Sequence, residues 1–284
     1  MIADLHAHTL ASDGTDTPTQ LIEKAAAQGL DLIAITDHDT TSGWDEASAA
    51  AQRVGISLLR GIEISCKWQE ISLHLLAYLH ERSDEPLLAE LSAARDSRDS
   101  RARRITELLA ADLPITWKDV SAQVEPGATV GRPHIADALV ALGIVKQRDE
   151  AFAKYLYTGS PYYAAHYAPD PVAVVKLVRA ARGVPVMAHP FAAARGPVAP
   201  DQLIAEMAQA GLFALEADHP EHDDSQRAHT IALAADLGLH VTGSSDYHGR
   251  GKTNRLGQCT TAPTVVEALL SEPTAVTAIG ALGR

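Results

Sequence analysis

The sequence predicts an α/β barrel with seven strands and a helical insertion. Nearly every strand-like segment ends in polar residues, and the chemistry of α/β barrels takes place at the carboxyl ends of their strands. Helix-like stretches separate most of these segments, which is typical of strand–helix units in a parallel sheet. The seven short apolar segments are residues 1–5, 30–39, 56–65, 71–80, 184–191, 212–222 and 239–249.

The helix that follows the first strand carries clear boundary signals. Thr17 is a suitable N-cap, Pro18 fits the first helical position, and Gly29 provides a C-terminal stop. Two later helix-like stretches end in the same way, at Gly55 and Gly238. These signals predict helices that pack between consecutive strands of the barrel.

Residues 82–168 interrupt this alternation. Segment 86–112 is long, charged and helical, and the helix-like stretches after it carry no strong signal for a parallel strand. We therefore predict a barrel formed by residues 1–81 and 169–284. The helical insertion, residues 82–168, is expected to cap the barrel mouth.

The composition excludes several classes of protein. Of the 284 residues, 46% are hydrophobic and 21% are charged, and the net charge of -12 disfavours binding to duplex nucleic acid. The apolar segments are too short to span a membrane, and Asp4 and His6 interrupt any signal peptide. With two cysteines, at most one disulfide is available, so we expect a reduced cytoplasmic protein. The sequence gives no sign of an obligate protein partner.

The chemistry is expected to depend on histidines and carboxylates near the strand ends. His6 and His8 point to opposite faces of an ideal strand, so they can share a metal only if the chain turns after the strand. A single histidine in such a place is usually a hydrogen-bonded residue. Many titratable groups at one barrel mouth instead favour a bound cation. The nine candidates are His6, His8, Asp13, His38, Glu63, His74, His189, Asp246 and His248.

Six ordered motifs resemble the PHP family, the polymerase and histidinol phosphatase superfamily. They are DLHAHTLASDGT, AITDHDT, GIEIS, SLHLLAY, MAHP and GSSDYHG. The resemblance implies a distorted (β/α)7 barrel with two or three divalent metal ions, with manganese preferred and iron or zinc as alternatives. Mixed imidazole and carboxylate ligands suit these metals better than calcium or magnesium.

The resemblance also implies three neighbouring metal sites. The implied ligand groups are His6, His8, Glu63 and Asp246 for one metal, Glu63, His74 and His189 for a second, and Asp13, His38 and His248 for a third. A hydroxide that bridges two metals would attack phosphorus in line. The catalytic residues would be Glu63, Asp246 and His189, with Asp37 and Asp39 orienting ligand imidazoles and Asp4 as a structural support.

Basic residues in the insertion indicate how a second phosphate could be bound. Segment 95–104 contains five arginines, of which Arg101 and Arg104 are spaced to share one helix face. The alternative is a solvated face with local arginine–aspartate pairs. Arg132 and His134 at a helix start, and Arg195 beyond His189, complete the predicted phosphate contacts. For His134 we prefer phosphate contact to protonation of the leaving oxygen.

Other residues near the barrel mouth have two interpretations. His219 and His222 are more plausible as hydrogen-bonding residues than as metal ligands. The aromatic side chains of segment 162–167 could stack on a nucleobase or pack the insertion against the barrel.

Within the PHP family, the arginine-bearing helix and the GRPHIA motif resemble a bacterial subgroup of 3',5'-nucleoside bisphosphate phosphatases. The resemblance implies a metal-dependent phosphatase that removes the 3'-phosphate, converting pAp to AMP and phosphate. The alternative is a 5'-to-3' exoribonuclease or phosphodiesterase on short single-stranded RNA. A histidinol phosphatase and a non-catalytic metal-binding module are less favoured.

Overall fold

The computed structural model describes residues 1–283. Within that range, seven strands form one sheet in chain order. Single bridges between Ala7 and Tyr247 and between Ala3 and Thr261 join its two ends, which confirms the predicted seven-stranded barrel. The strands are β1 (Ala3–Asp4), β2 (Leu32–Ile35), β3 (Ser57–Trp68), β4 (Ile71–Tyr78), β5 (Val184–Met187), β6 (Ala214–Asp218) and β7 (His240–Gly243).

The expectation that all strands run parallel is wrong for β4. Strands β1 to β3 are mutually parallel and so are β5 to β7, but β4 is antiparallel to both of its neighbours. Only Gln69 and Glu70 separate β3 from β4, and Gln69 has a positive φ of 53°. Two residues can close a hairpin, whereas a parallel connection needs a crossover of a dozen residues or more.

Helices cover the outside of the barrel, and the predicted boundary signals are confirmed for the first of them. The Thr17 side chain accepts a hydrogen bond from the Gln20 backbone N–H in a capping box. Gly55 and Gly238 end their helices in the left-handed conformation. The barrel helices are α1 (Pro18–Ala27), α2 (Trp44–Val54), α7 (Pro171–Ala180), α8 (Asp201–Gln209), α9 (Asp224–Leu237) and α10 (Pro263–Leu270).

The segment between β4 and α7 is helical. It contains α3 (Glu85–Ala110), α4 (Trp117–Ser121), α5 (Arg132–Ala141), α6 (Arg148–Ala151) and a short π-helix (Phe152–Leu156). Below, we call residues 82–168 the cap. The cap has its own apolar core, to which Ile105 and Leu139 belong, whereas Leu87 and Leu91 at the start of α3 pack into the barrel core. The first turns of α3 therefore anchor the cap to the barrel.

Aliphatic side chains from several strands of the sheet pack together in the barrel core. Leu5, Leu59, Leu76 and Val186 belong to one fully buried cluster. Burying a side chain of this size contributes about 1.5–3 kcal/mol. The strand ends are thus held by a rigid core, which fixes the distances between polar side chains at the mouth. Over residues 1–283, no helix is both long enough and apolar enough to cross a bilayer.

Candidate metal and phosphate site

Eight of the nine predicted ligands belong to three overlapping groups whose ligand atoms lie within 4.8 Å of one another. The groups are His6, His8, Glu63 and Asp246, then His8, Asp13, His38 and His248, and finally His38, Glu63 and His74. The ninth, His189, lies beside them, with Nε2 3.1 Å from Glu63 Oε1. The fold therefore brings all nine residues to one place.

Glu63 lies at the centre of this cluster. Its Oε2 is 3.3 Å from His6 Nε2 and 3.0 Å from His8 Nε2. Its other oxygen, Oε1, is 2.6 Å from His74 Nδ1 and 3.1 Å from His189 Nε2. A buried carboxylate in an apolar strand needs such partners, and this one faces a different set of imidazoles with each oxygen. The geometry is suited to bridging two cations.

His6 and His8 meet because β1 ends at Asp4, before either histidine. Their Nε2 atoms are 3.1 Å apart. The following turn, residues 9–14, needs glycine at its end, since a Cβ on Gly14 would lie 2.5 Å from the His8 carbonyl oxygen. The predicted bend after the strand therefore exists, and it brings Asp13 back to within 3.6 Å of His8 Nδ1.

The acidic residues near the cluster hold the loops that carry it. Asp37 accepts hydrogen bonds from the Thr9 N–H at 2.7 Å and from the Ser12 hydroxyl at 2.7 Å. Asp4 accepts from the Ser245 N–H at 3.0 Å, which supports the loop of Asp246. Asp37 thus holds the histidine-bearing loop in place rather than orienting an imidazole ring. Asp4 supports the neighbouring loop, which is a structural role.

The charges of the cluster are strongly coupled. Burial opposes the charge on His6, but Glu63, Glu216 and Asp246 outweigh it and raise the His6 pKa well above its usual value. Burial likewise opposes charge on His8, yet hydrogen bonds with Asp246 and Glu63 raise its pKa to about 9. The pKa of Glu63 falls well below its usual value, because His74 and His38 outweigh the effect of burial. The buried carboxylates of the cluster are therefore stable only when positive charge lies beside them.

The donor set fits divalent transition metals. Among the described residues, the buried Nδ1 of His38 has no hydrogen-bond partner, although Glu63 Oε2 is 3.2 Å away. The buried Nε2 of His219 is in the same situation, 3.4 Å from Asp246 Oδ2. A nitrogen and a carboxylate oxygen that are close but poorly aligned for a proton are well placed to share a cation. Mixed imidazole and carboxylate ligands suit manganese, iron or zinc.

A cavity of about 610 Å³ lies between this cluster and the cap. Arg98, Arg101 and Arg132 line it. Over residues 1–283, neither Arg101 nor Arg132 forms a salt bridge; their side chains donate to the carbonyls of Ala164 and Leu156, each at 2.9 Å. Burial, with Arg132 and Arg98 nearby, lowers the pKa of Arg101 to about 9. Half-buried guanidinium groups without acidic partners are suited to binding an anion.

Comparison with known proteins places this site in a family. The PHP domain model matches residues 4–113. A 3',5'-nucleoside bisphosphate phosphatase from Chromobacterium violaceum is 36% identical over 256 residues, which is 89% of this chain and 89% of the relative.

This chain belongs to the PHP family. A 5'-3' exoribonuclease from Haemophilus influenzae is 33% identical to this PHP protein and aligns with 86% of it and 89% of the relative. The exoribonuclease Rnm of Escherichia coli is 30% identical, over 95% of this chain and 92% of its own. The protein is therefore a metal-dependent phosphoesterase, and the named substrates differ among its relatives.

Solved structures agree with the fold of this PHP protein. One from Bifidobacterium adolescentis, designated a metal-dependent phosphoesterase, has a TM-score of 0.93, with 41% identity and 96% of each chain covered. A Chromobacterium violaceum structure, designated an amidohydrolase with bound sulfate and no metal, has a TM-score of 0.85 and 31% identity, covering 97% of this chain and 99% of the other.

Two predicted phosphate contacts of the PHP protein do not line the cavity. Arg104 points to solvent, with 61% of its side chain exposed, and pairs with Glu107 at 3.0 Å. Three helical residues rotate the chain by about 300°, which leaves Arg104 about 60° from Arg101 around the helix. At the edge of the cap this offset is enough to turn Arg104 to solvent. His134 is buried, and its Nδ1 accepts from the Gly131 N–H at 3.0 Å, which caps α5 rather than contacting the cavity.

Arg195 and Lys252 contact the metal-ligand cluster directly. Arg195, predicted as a phosphate contact, lies 2.6 Å from Asp246 Oδ2 and 2.8 Å from His189 Nε2. Lys252, which the sequence did not single out, has its Nζ 2.6 Å from the same oxygen. Glu221 in turn accepts two hydrogen bonds from Arg195. These cations border both the cluster and the cavity.

Glu216 is a further residue that sequence reasoning missed. It is fully buried in β6, its Oε1 lies 3.1 Å from His6 Nδ1, and its Oε2 accepts from the His189 N–H at 2.9 Å. It therefore orients one predicted ligand and the loop of another. The signal that could have found it is the one that marked Glu63, a carboxylate inside an apolar strand.

Of the residues with two interpretations, His219 makes a hydrogen bond, because its Nδ1 accepts from the Glu221 N–H at 3.1 Å, while its Nε2 faces Asp246. His222 accepts from the Phe191 N–H and contacts the Ala217 carbonyl, so it has the hydrogen-bonding place that we preferred. Tyr163 and His166 line the cavity. The hydroxyls of Tyr162 and Tyr167 instead donate to the cap residues Asp112 and Glu90.

Proposed function

We propose that this PHP phosphoesterase hydrolyses the 3'-phosphate of 3',5'-nucleoside bisphosphates such as pAp. The observation that supports it most is the pair Arg101 and Arg132, two half-buried arginines without acidic partners among residues 1–283, in the same cavity as the metal-ligand cluster. A substrate with two phosphates can place one on the arginines and the other at the cluster. The C. violaceum relative bears the name of this activity.

We assign the nine clustered residues as metal ligands: His6, His8, Asp13, His38, Glu63, His74, His189, Asp246 and His248. We expect two or three ions, with manganese first and iron or zinc as alternatives. When bound, these ions supply an activated water and positive charge for the phosphoryl oxygens. Most of these side chains are buried, and five of them line the cavity, where a substrate can reach them: Asp13, His38, His74, His189 and His248.

The side chains of the site have distinct roles in the proposed reaction. Glu63 presents one oxygen to each side of the cluster, and Asp246 is held by Arg195 and Lys252. Burial and Arg195 lower the pKa of His189 well below its usual value, so this imidazole is neutral and offers a lone pair. The bond between phosphorus and the 3'-oxygen breaks, water adds to phosphorus, and the 3'-oxygen leaves as a hydroxyl.

The second candidate is a 5'-to-3' exoribonuclease on short single-stranded RNA. Two relatives that align over most of the chain bear that name. Release of the first nucleotide with its 5'-phosphate would break the same bond, between the 3'-oxygen and phosphorus. A histidinol phosphatase is less favoured, because the arginine-lined cavity repels a cationic substrate. A non-catalytic module is disfavoured by the complete ligand cluster.

A comparison of substrates with manganese tests the proposal. We expect the 3',5'-bisphosphate to be hydrolysed with a kcat/KM at least tenfold above that of the matching 3'-monophosphate, because the 5'-phosphate contributes binding to Arg101 and Arg132. The 5'-monophosphate should be inert. Replacing Arg101 or Arg132 by methionine should raise KM for the bisphosphate and leave the 3'-monophosphate unaffected, with Arg104→Met as the matched control. Equal rates on bisphosphates and 5'-monophosphates would refute the assignment.

A further inference from the structure

A second groove opens from the active-site cavity. It has a volume of about 860 Å³ and lies between α5 and α6 of the cap and the segment that follows β7. Asp149, Glu221 and Lys252 line both spaces, so the groove and the cavity meet beside the cluster. A groove of this size is large enough for a molecule of nucleotide dimensions.

The lining of the groove is polar, and its charges are largely balanced. Asp137 forms two hydrogen bonds with Arg148, at 2.7 Å and 2.6 Å. Glu221 is paired with Arg195 at 2.6 Å. Over residues 1–283, Arg250 forms no salt bridge, and its side chain is exposed in the groove. Amides from Gln147 and Gln258 complete a surface that suits hydroxyls, bases and a single phosphate.

The groove lies across the barrel mouth from Arg98, which lines the cavity together with Arg101 and Arg132. Arg98 reaches the β2 and β3 side of the barrel, where it pairs with Asp39 at 2.8 Å and contacts Ser65 of β3. The groove instead adjoins the segment after β7. In a closed ring of seven strands, β3 and β7 are three strands apart, which is the largest separation available. A ligand that runs from the arginines across the cluster therefore continues into the groove.

We propose that this groove binds the nucleotide that follows the scissile phosphate in a 5'-phosphorylated single-stranded oligonucleotide. The inference rests on the proposed function, since the first nucleotide occupies the arginine-lined cavity. In a bisphosphate, the three other oxygens on the reacting phosphorus, besides the 3'-oxygen that leaves, are terminal oxygens with no further group attached. In an oligonucleotide, one of those oxygens is the 5'-oxygen of the next nucleotide, which needs an open path away from the cluster. The groove is that path, and Arg250 meets the next phosphate.

The experiment compares a 3',5'-bisphosphate with 5'-phosphorylated oligoribonucleotides of two, three and five nucleotides. The wild-type kcat/KM should rise at least tenfold from the dinucleotide to the pentanucleotide. Two variants change the groove and leave the cluster residues in place. Arg250→Glu reverses the unpaired charge in the groove, and Ala141→Trp fills part of its volume from α5. Each should lower kcat/KM for the pentanucleotide at least tenfold and change that for the bisphosphate less than twofold.

Arg255→Glu is the matched control, because Arg255 is an exposed arginine on the same segment that does not line the groove. It should leave both substrates within twofold of wild type. Equal losses on both substrates in the groove variants, or no loss on the pentanucleotide, would overturn the inference.

Binding distinguishes a failure of the groove from a failure of the proposed function. A pentanucleotide with a 5'-phosphate and a 3'-fluorescein is titrated with the full chain in chelator, and fluorescence anisotropy is followed. Arg250→Glu should weaken binding at least tenfold, whether or not any substrate is hydrolysed. If wild type hydrolyses neither substrate but binding depends on Arg250, the proposed function is wrong and the proposed binding site in the groove is supported. Binding that is unchanged in Arg250→Glu and Ala141→Trp refutes the groove.

Discussion

At the scale of single residues, buried charge marks the function of this protein. Glu63 and Glu216 are carboxylates within apolar strands, and each contacts histidine side chains of the cluster. Burying an unpaired carboxylate costs several kcal/mol, so such residues persist where imidazoles or cations compensate them. Glu63 faces the ligand groups with both oxygens, whereas Glu216 supports His6 from behind.

Glu63→Gln should remove the bridge between ligand groups. The amide keeps the shape of the side chain but loses the charge shared by both oxygens. We expect metal content to fall by at least one ion per chain and kcat/KM to fall roughly a thousand-fold, or about 4 kcal/mol. Elemental mass spectrometry and steady-state kinetics measure these effects. Glu70→Gln, an exposed glutamate in the β3–β4 turn, is the control, and full metal content in Glu63→Gln would contradict the bridging role.

His80 makes stability depend on pH. It is buried at the end of the barrel away from the cluster, with its ring 5.0 Å from the Trp44 ring, and its Nδ1 has no hydrogen-bond partner within residues 1–283. Burial lowers its pKa from 6.5 to about 4. The unfolded chain therefore takes up this proton near pH 6.5 while the folded chain does not, so stability falls as pH drops below 6.5.

His80→Gln should remove this component. Between pH 7 and pH 5, wild type should lose about 2 kcal/mol more unfolding free energy than the variant. Urea unfolding at pH 7, 6 and 5 in chelator measures the difference. His229→Gln on the exposed face of α9 should retain the wild-type pH dependence. Parallel pH profiles for wild type and His80→Gln would show that the buried imidazole does not titrate as described.

At the scale of elements, the cap is tied to the loop that carries Asp13. Arg148, the first residue of α6, is held by Asp137 of α5 and donates to the Asp13 carbonyl at 3.2 Å. The Thr129 N–H donates to the Ala11 carbonyl at 3.1 Å. Cap helices thus fix the position of one predicted metal ligand through its backbone.

Arg148→Met should loosen the loop of Asp13 without removing any ligand. We expect the affinity of one metal ion to fall about 10- to 100-fold, which is typical when a group that orients a ligand is lost. Titration with manganese, followed by calorimetry, would show one weakened site beside unchanged ones. Lys154→Met, which removes an exposed pair with Glu150, serves as the control. Equal weakening of all sites would point to general destabilisation instead.

At the scale of the whole molecule, the ligands come from almost every strand of the barrel and are far apart in the chain. His6 and Asp246 are separated by most of the sequence, yet both contact Glu63 or its partners. A cation held by these residues would therefore connect the two ends of the sheet, which isolated bridges also join. Metal binding and global stability should be coupled.

Removing metal should lower the midpoint of thermal unfolding. A ligand that binds only the folded chain adds about 2.7 kcal/mol when its concentration is a hundred times its Kd. For a chain of this length, we expect a rise of roughly 5 °C or more on adding manganese to chelated protein. Differential scanning calorimetry measures it, and Asp246→Asn should reduce the rise. An unchanged midpoint in wild type would contradict the coupling.

The sequence by itself determined the seven strands, the barrel, the helical segment and the nine clustered residues, because strand periodicity and local caps are properties of short stretches. The tertiary structure alone decided how those residues are grouped. It places His38 beside Glu63, Lys252 and Arg195 on Asp246, and Arg104 and His134 away from the cavity. These placements depend on the closure of the sheet, on the hairpin that makes β4 antiparallel, and on the packing of the cap against the barrel. Each of these involves contacts between segments that are remote in sequence.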